Sequence, residues 1–424
     1  MDYNIKMFYK QIFYIMMLVF IITAVAYGIM VEEHPYLTIL FYNQSDSFSD
    51  FYSSLRDAHG FRPYDFGCIY PALAYIFYGF FQLFVPEEIM SYVEQTGEYM
   101  CIRNYQMGGM IFIYYSLFVF SIFGWILYHF KKGKKIEKLL FVFILFFSVP
   151  VIFAIERGNL IMMVIPLVTV FFCWKESEIK WKKEISFLCL AIAASLKIYP
   201  ALFGIVLLFD KKWKDAIRCA IYGIGTFIIP FFFVGGLGKI SVMISNILGT
   251  NSVFLEQSGL GYKVNLLNTL TFLSSKYSVL SNFVIQKFFI IGMILIVFFA
   301  QIYIDVKWKK YLAISLFIIL LPGFSFVYNI MYLIPVVMLF LNSDNDDIKY
   351  LDIVYLLLFV IILSPILIKL IGRFECNGGV WGYTFSTFLE SMALCGLLLI
   401  IGVEVIINIL IKVRVRLNNG KDIK

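Results

Sequence analysis

Charge is scarce in this sequence. Of its 424 residues only 15% are Asp, Glu, Lys or Arg, against about 25% in an ordinary soluble domain. Groups that bind metals or form disulfides are scarcer. The three histidines, His34, His59 and His129, lie far apart. The seven cysteines, Cys68, Cys101, Cys173, Cys189, Cys219, Cys376 and Cys395, are scattered with no CxxC pair. No zinc or haem spacing can be built from them. A soluble domain, a low-complexity tail and a clear repeat are also missing. These absences exclude a soluble enzyme, a nucleic-acid binder, a disordered chain and a disulfide scaffold.

What the chain has instead is apolar surface, 61% hydrophobic residues with 19% aromatic. That is too much for one globular core. It comes in blocks of about 16 to 25 residues, the length that crosses a bilayer's hydrocarbon. The fold class expected is an all-α polytopic membrane protein, one integral domain over 1–424. The net charge of +7, from 35 basic against 28 acidic residues, speaks to topology and not to a nucleic-acid partner.

The apolar blocks fall at about 11–30, 69–85, 108–130, 136–155, 159–174, 185–209, 216–235, 281–304, 310–341, 349–371 and 383–412. Two are interrupted, at Lys197-Ile198-Tyr199-Pro200 and at Pro322-Gly323. The start, MDYNIKMFYK before an apolar run, has a signal peptide's charge layout without a small-residue cleavage site, so a retained first span is expected. Basic clusters at Lys131–Lys135, Lys180–Lys183, Lys211–Lys214, Lys307–Lys310 and the C-terminal KVRVRLNNGKDIK mark the cytoplasmic side, as do Lys6 and Lys10. Both termini are then cytoplasmic. The outer side receives 31–107, the Glu156–Asn159 turn, 236–280 and 372–382. Each interrupted block starts and ends on the cytoplasmic side, so each is a pair of short helices meeting at its break. Such breaks inside a membrane line a cavity or are buried in protein. If 69–85 crossed fully, Lys131–Lys135 would land outside; a non-crossing or re-entrant element fits better.

Polar chemistry collects at a few places. Asp46, Asp50 and Asp57 in the first outer segment are spaced by four and seven, one face of a helix. A carboxylate there can take a proton from a sugar hydroxyl; the alternative is a solvated loop helix. Glu156-Arg157-Gly158-Asn159 lies between apolar spans, where charge is costly. Arg157 either holds a phosphate or closes a tight turn with Glu156. Lys197 lies in an apolar block beside the Tyr199-Pro200 break and either snorkels or faces a polar cavity. Tyr328 and Asn329 follow the Pro322 break, as interhelical hydrogen-bonding groups or as site residues. The loop Asn251–Asn268, with Glu256, Gln257, Gly259, Gly261, Tyr262, Lys263 and Asn265, contacts an acceptor sugar or merely connects. Two motifs are refused. In Gly235-Gly236-Leu237-Gly238-Lys239, Phe233 stands where a phosphate loop needs its first glycine, and Ile240 where Ser or Thr must bind magnesium. Asp344-Asn345-Asp346 opens a span, where acids suit a helix N-terminus.

The pieces SDFYSSL (49–55), Ile69-Tyr70-Pro71-Ala72-Leu73-Ala74-Tyr75, Glu156-Arg157-Gly158-Asn159, Leu196-Lys197-Ile198-Tyr199-Pro200-Ala201 followed by DKKWKDAIR, and Tyr328-Asn329 with Pro335 occur in that order. In this the chain resembles glycosyltransferase family 87, mannosyltransferase-like membrane enzymes of the GT-C superfamily. The resemblance covers about 46–340; the last spans, 349–412, carry no matching motif. Family members tend to have a second proline where Ala72 follows Pro71.

The resemblance implies a GT-C-like bundle of about 11–13 transmembrane helices, some short or broken, with short helices in the first outer loop. It implies transfer of a hexose, mannose first, from a polyprenyl-phosphate-linked donor to a glycolipid, polysaccharide or glycan acceptor. The reaction would occur at the outer face of a plasma membrane, bacterial by expectation. An acidic residue of the first outer loop would be the base. By position that is Asp50, with Asp46 and Asp57 in reserve. Arg157 and Lys197 would meet the donor phosphate, and Glu156, Asn159, Tyr199, Tyr70, Lys263, Tyr328 and Asn329 would line the substrate. No cofactor is required and no metal site is expected. The competing readings are a flippase or transporter of lipid-linked sugars, an O-antigen-type polymerase, and a structural subunit. The broken blocks invite the transporter, but their sequences, KIYPALFGI and LPGFSFVYN, do not match as repeats would. The polymerase would favour an arginine-rich outer loop, and 236–280 has no arginine.

Overall fold

A computed structural model describes residues 2–31, 46–256, 263–274, 277–343, 350–365, 373–375 and 382–419. His34, Gln257, Gly259, Gly261, Tyr262, Asp344-Asn345-Asp346 and Cys376 lie outside the described residues. The chain divides into two compact units. Phe20–Glu256 makes one; Met1–Val19 with Gln257–Lys424 makes the other.

The chain opens with α1 (Asp2–Val31). In the first unit there follow α2 (Ser49–Ala58), α3 (Ala72–Gln82), α4 (Glu87–Thr96), α5 (Gly108–Phe130), α6 (Lys135–Phe146), α7 (Val149–Arg157), α8 (Ile161–Trp174) and α9 (Lys180–Leu196). After a 3-10 turn at Tyr199–Gly204 and a short helix at Ile205–Phe209 come α10 (Trp213–Ile228) and α11 (Lys239–Glu256). The second unit holds α12 (Leu266–Ser274), α13 (Phe283–Tyr303), α14 (Lys307–Leu320), a 3-10 turn at Val327–Leu333, α15 (Ile334–Asn342) and α16 (Tyr350–Leu363). Strands β1 (Arg373–Glu375) and β2 (Gly382–Thr384) pair antiparallel before α17 (Phe385–Asn419).

The protein is an all-α polytopic membrane protein. Among the described residues four helical segments are long and apolar enough to cross a bilayer alone: Gly108–Phe130, Trp213–Phe233, Phe283–Tyr303 and Thr387–Val415. Several shorter apolar helices accompany them. The two kinds pack differently. Short α8 and α14 are buried on nearly all sides and form the cores of their units. Long α13 exposes Phe283, Phe288 and Ile291, each by more than half. Lipid tails are as apolar as leucine, so such exposure costs nothing in a bilayer.

The helix breaks fall where the sequence places them, at 197–200 and 321–326. Two expectations change, and a third, the non-crossing 69–85, is sharpened. The block 136–155 is not one straight helix: α6 and α7 meet at a 56° bend. Pro150 sits in the first turn of α7, where its missing N–H is harmless and its ring stops continuation of α6. The supposed loop 236–280 is largely helical, in α11 and α12. The block 69–85 contracts to the 11 residues of α3, a rise of only ~16 Å, too short to cross alone.

Candidate active site

The site is built in the first unit, where the N-terminus of α2 meets the C-terminus of α7. Gly158 ends α7 in the left-handed conformation, φ 65°, a C-cap that glycine adopts without penalty. It also admits a neighbour. A Cβ at Gly158 would come within 2.7 Å of Phe51 Cβ. Phe48, at φ 65°, turns the chain into α2, and its N–H donates to the Glu156 carbonyl at 2.5 Å. Tyr115 Oη donates to the Gly158 carbonyl at 3.2 Å. Beneath the junction Phe51 packs on Tyr115 and Phe112, with ring centroids at 4.6 and 5.4 Å. Much of the aromatic content of this region thus forms a floor that fixes two helix ends.

Asp50 lies in the first turn of α2, a favourable place for a carboxylate. Arg157 donates to Asp50 Oδ1 from Nε at 3.0 Å and from Nη2 at 2.6 Å. Its Nη1 pairs with Asp46. Asn159 Nδ2 donates to Asp50 Oδ2 at 2.7 Å and to Tyr70 Oη at 3.3 Å. A carboxylate offers about four acceptor positions. Among the described residues three are filled, two on Oδ1 and one on Oδ2, so the open one is on Oδ2. The Asp50 side chain is 19% exposed, which leaves it open to approach. Lys197, nearly buried at the break after α9, interacts electrostatically with Asp50. Tyr70 does so with Asp50, Arg157 and Tyr199. An apolar cavity of about 410 Å³ lies between α9, the turn after Tyr199 and α10, lined by Ala194, Ala201, Gly204 and Gly223 among others.

The structure therefore gathers Asp46, Asp50, Tyr70, Arg157, Asn159, Lys197 and Tyr199. Within that unit it sets Asp57 apart. Asp46, Asp50 and Asp57 do not share one helix face, because Phe48 breaks the helix and α2 starts at Ser49. Asp57 sits two turns along α2, paired with Arg56 at 2.6 Å and beside Cys68 and Tyr75. Burial pushes its carboxyl above the usual carboxylate range, and Arg56 pulls the other way. Glu156 is buried and contributes its carbonyl to the Phe48 turn. Lys263, Tyr328 and Asn329 belong to the second unit. There Lys263 bridges Phe326 in antiparallel fashion, and Asn329 Nδ2 donates to Ser325 Oγ at 3.2 Å. Arg157, expected to meet a phosphate, instead has two carboxylates as partners.

Sequence reasoning missed Phe48, Tyr64 and Tyr115. A positive φ at phenylalanine leaves no local signal, the Tyr115 phenol acts on a carbonyl 43 positions away, and the Tyr64 phenol donates to the Tyr70 carbonyl in a segment with no helical or strand pattern to show it. Tyr75, in the segment Ile69–Tyr75, was within reach of pattern reading. Among the described residues no group of three or more His, Cys, Asp or Glu side chains converges to hold a metal.

Fold and site together define a multi-pass membrane protein with an aspartate at the start of α2 held by an arginine at the end of apolar α7. A family model for glycosyltransferase family 87 matches residues 69–321, more than half of the chain. The chain belongs to that family and is a membrane glycosyltransferase. The matched stretch contains Tyr70, Arg157, Asn159, Lys197 and Tyr199 and begins after Asp46 and Asp50. No curated protein and no solved structure matches the chain.

Proposed function

We propose that this glycosyltransferase moves a hexose, with mannose the first candidate, from a polyprenyl-phosphate donor to a glycolipid, polysaccharide or other glycan acceptor. The reaction takes place on the non-cytoplasmic face of the plasma membrane. The observation that carries this reading is the Asp50 carboxylate, held by Arg157 and Asn159 with an acceptor position open on Oδ2. In the proposed step the acceptor hydroxyl approaches Oδ2. Its oxygen attacks the anomeric carbon while its proton passes to Asp50. The bond from that carbon to the phosphate oxygen breaks, the electron pair leaves with the phosphate, and configuration inverts. Lys197 stabilises the charge that develops on the phosphate, the kind of interaction that lowers a barrier most.

Arg157 takes a different role from the one its type first implies. Its guanidinium is engaged by Asp46 and Asp50, so it positions the base and leaves the phosphate to Lys197. The apolar cavity, lined by Ala194 and Ala201 on either side of Lys197 in the sequence, offers the donor's lipid chain a wall. No cofactor is needed in this scheme. In this scheme, which the basic loops support, both termini are cytoplasmic and the Asp50 segment is outside.

The test is transfer by purified protein in lipid, with a panel of polyprenyl-phosphate sugars and membrane-extracted acceptors, beside Asp50→Asn. Transfer lost in the variant with donor binding retained supports the scheme. Full activity in Asp50→Asn removes Asp50 and turns attention to Asp46 or Asp57. Passage of lipid-linked sugar across sealed vesicles without transfer would support a flippase instead.

A further inference from the structure

Tyr70 is singled out by a count of protons. Asn159 Oδ1 accepts from the Ile161 N–H at 3.0 Å, which settles which end of the amide is oxygen. Its Nδ2 then carries two protons. One goes to Asp50 Oδ2 and the other to Tyr70 Oη. The phenol oxygen is therefore an acceptor towards Asn159, and its own proton points elsewhere. Among the described residues that proton has no acceptor.

The main chain of Tyr70 is clamped as well. Tyr64 Oη donates to the Tyr70 carbonyl at 3.0 Å, and the Tyr70 N–H donates to Tyr75 Oη at 3.3 Å. Tyr64 is itself stacked on Phe231, with centroids 5.6 Å apart and planes 10° apart. From α11, Lys239 pairs with Asp65 at 2.6 Å and Asn246 donates to the Cys68 carbonyl at 3.0 Å. Tyr70 precedes α3 and lies in no helix. Two phenols and two contacts from α11 nevertheless hold it and its approach in one place. Such over-determination aims a side chain.

We infer that Tyr70 is a specificity-determining residue whose O–H donates to a ring hydroxyl of the sugar being transferred. This rests on the transferase reading above. In an in-line displacement the leaving phosphate departs on the far side of the anomeric carbon from the base. Tyr70 shares the Asn159 amide with Asp50, so it stands on the attack side and away from the phosphate. It does not serve the attacking hydroxyl, because a hydrogen bond donated to that oxygen would weaken it as a nucleophile. The groups left to it are hydroxyls on the transferred ring. A site built to bond a substrate hydroxyl discriminates strongly against a sugar that lacks it.

The test uses the full-length protein in lipid, with the best polyprenyl-phosphate sugar from the panel and its single-deoxy analogues. Both clamp bonds use the Tyr70 main chain, so Tyr70→Phe keeps them. For Tyr70→Phe, kcat/KM with the parent donor should fall by roughly 10- to 100-fold. With one deoxy donor the native protein and the variant should become equal within about threefold, the mark of coupled groups. Tyr64→Phe and Tyr75→Phe loosen the clamp and should slow all donors alike. An equal loss for every donor in Tyr70→Phe, or no loss with the parent, would overturn the inference while leaving the transferase standing. No transfer by the native protein from any donor would overturn both.

Discussion

The two helix breaks make an instructive pair. Each interrupts an apolar block, and each brings polar residues to a place where backbone groups have lost their helical partners. At the break after α9, the polar side chain Lys197 interacts electrostatically with a carboxylate of another element, Asp50. At the break after α14, polar side chains go to the backbone itself. Asn265 Nδ2 donates to the Gly323 carbonyl at 3.0 Å, and the Val264 N–H donates to the Ser325 carbonyl at 3.0 Å. Ser315 Oγ closes on the Tyr332 carbonyl at 3.1 Å. An unsatisfied carbonyl in an apolar setting costs roughly 1–3 kcal/mol, which is reason enough for those residues. Polar groups at a membrane break are thus no sign of chemistry until their partners are known.

The strongest way to break this contrast is at Asp50. Asp50→Asn keeps the shape of the site and removes the base, so transfer should fall by about 10²- to 10⁴-fold. Asp57→Asn, on the same helix but outside the cluster, weakens a buried pair with Arg56 and should cost stability, while kcat per folded molecule stays within about threefold of native. Comparable losses in both, measured as initial rates with saturating donor, would erase the distinction between the two aspartates.

Gly158→Ala tests the frame instead of the chemistry. The new Cβ meets Phe51 Cβ at 2.7 Å, and an alanine there is held at φ 65°. Strain and overpacking together should lower stability by roughly 2–4 kcal/mol. Activity should fall with it, because the same shift moves Phe48 and Asp50. Thermal unfolding of the purified variant checks this; an unchanged midpoint would show that the α2–α7 junction is looser than drawn.

At the second break the expectation reverses. Asn265→Ala leaves the Gly323 carbonyl without its partner. It also removes the Asn265 Oδ1 bond to the Asn268 N–H, 2.7 Å, at the start of α12. Stability should drop by about 1–3 kcal/mol, with kcat per folded molecule little changed. A loss of kcat at native stability would make this break a second part of the site.

The same contrast explains what could be read from the sequence. Apolar blocks and their breaks are legible because hydropathy, proline and glycine act locally. Lys197 beside Pro200 and Asn159 beside Gly158 were visible for that reason. The pairing of Arg157 with Asp50 was not, since 107 positions separate them and a guanidinium suits a phosphate as well as a carboxylate. Nor was α11, whose mixed faces offer no long apolar run. The 56° bend between α6 and α7 hides in an unbroken apolar stretch, betrayed only by Ser148 and Pro150.

One effect depends on pH and concerns Lys263, which lies outside the spanning helices in the stretch that plugs the second break. Burial lowers its ammonium from the ordinary 10.5 to about 8. Between those two values the unfolded chain holds a proton that the folded protein has given up. Stability therefore rises with pH across that window and is lost as pH falls back through about 8. Lys263→Met removes the group from both states and should flatten the rise. Unfolding midpoints of the native and variant proteins, taken in one detergent from neutral to alkaline pH, check it. A rise of the same size in both proteins would assign the pH dependence elsewhere. It would also leave Lys263 charged in the fold, an ammonium that the plugged break would then have to accommodate.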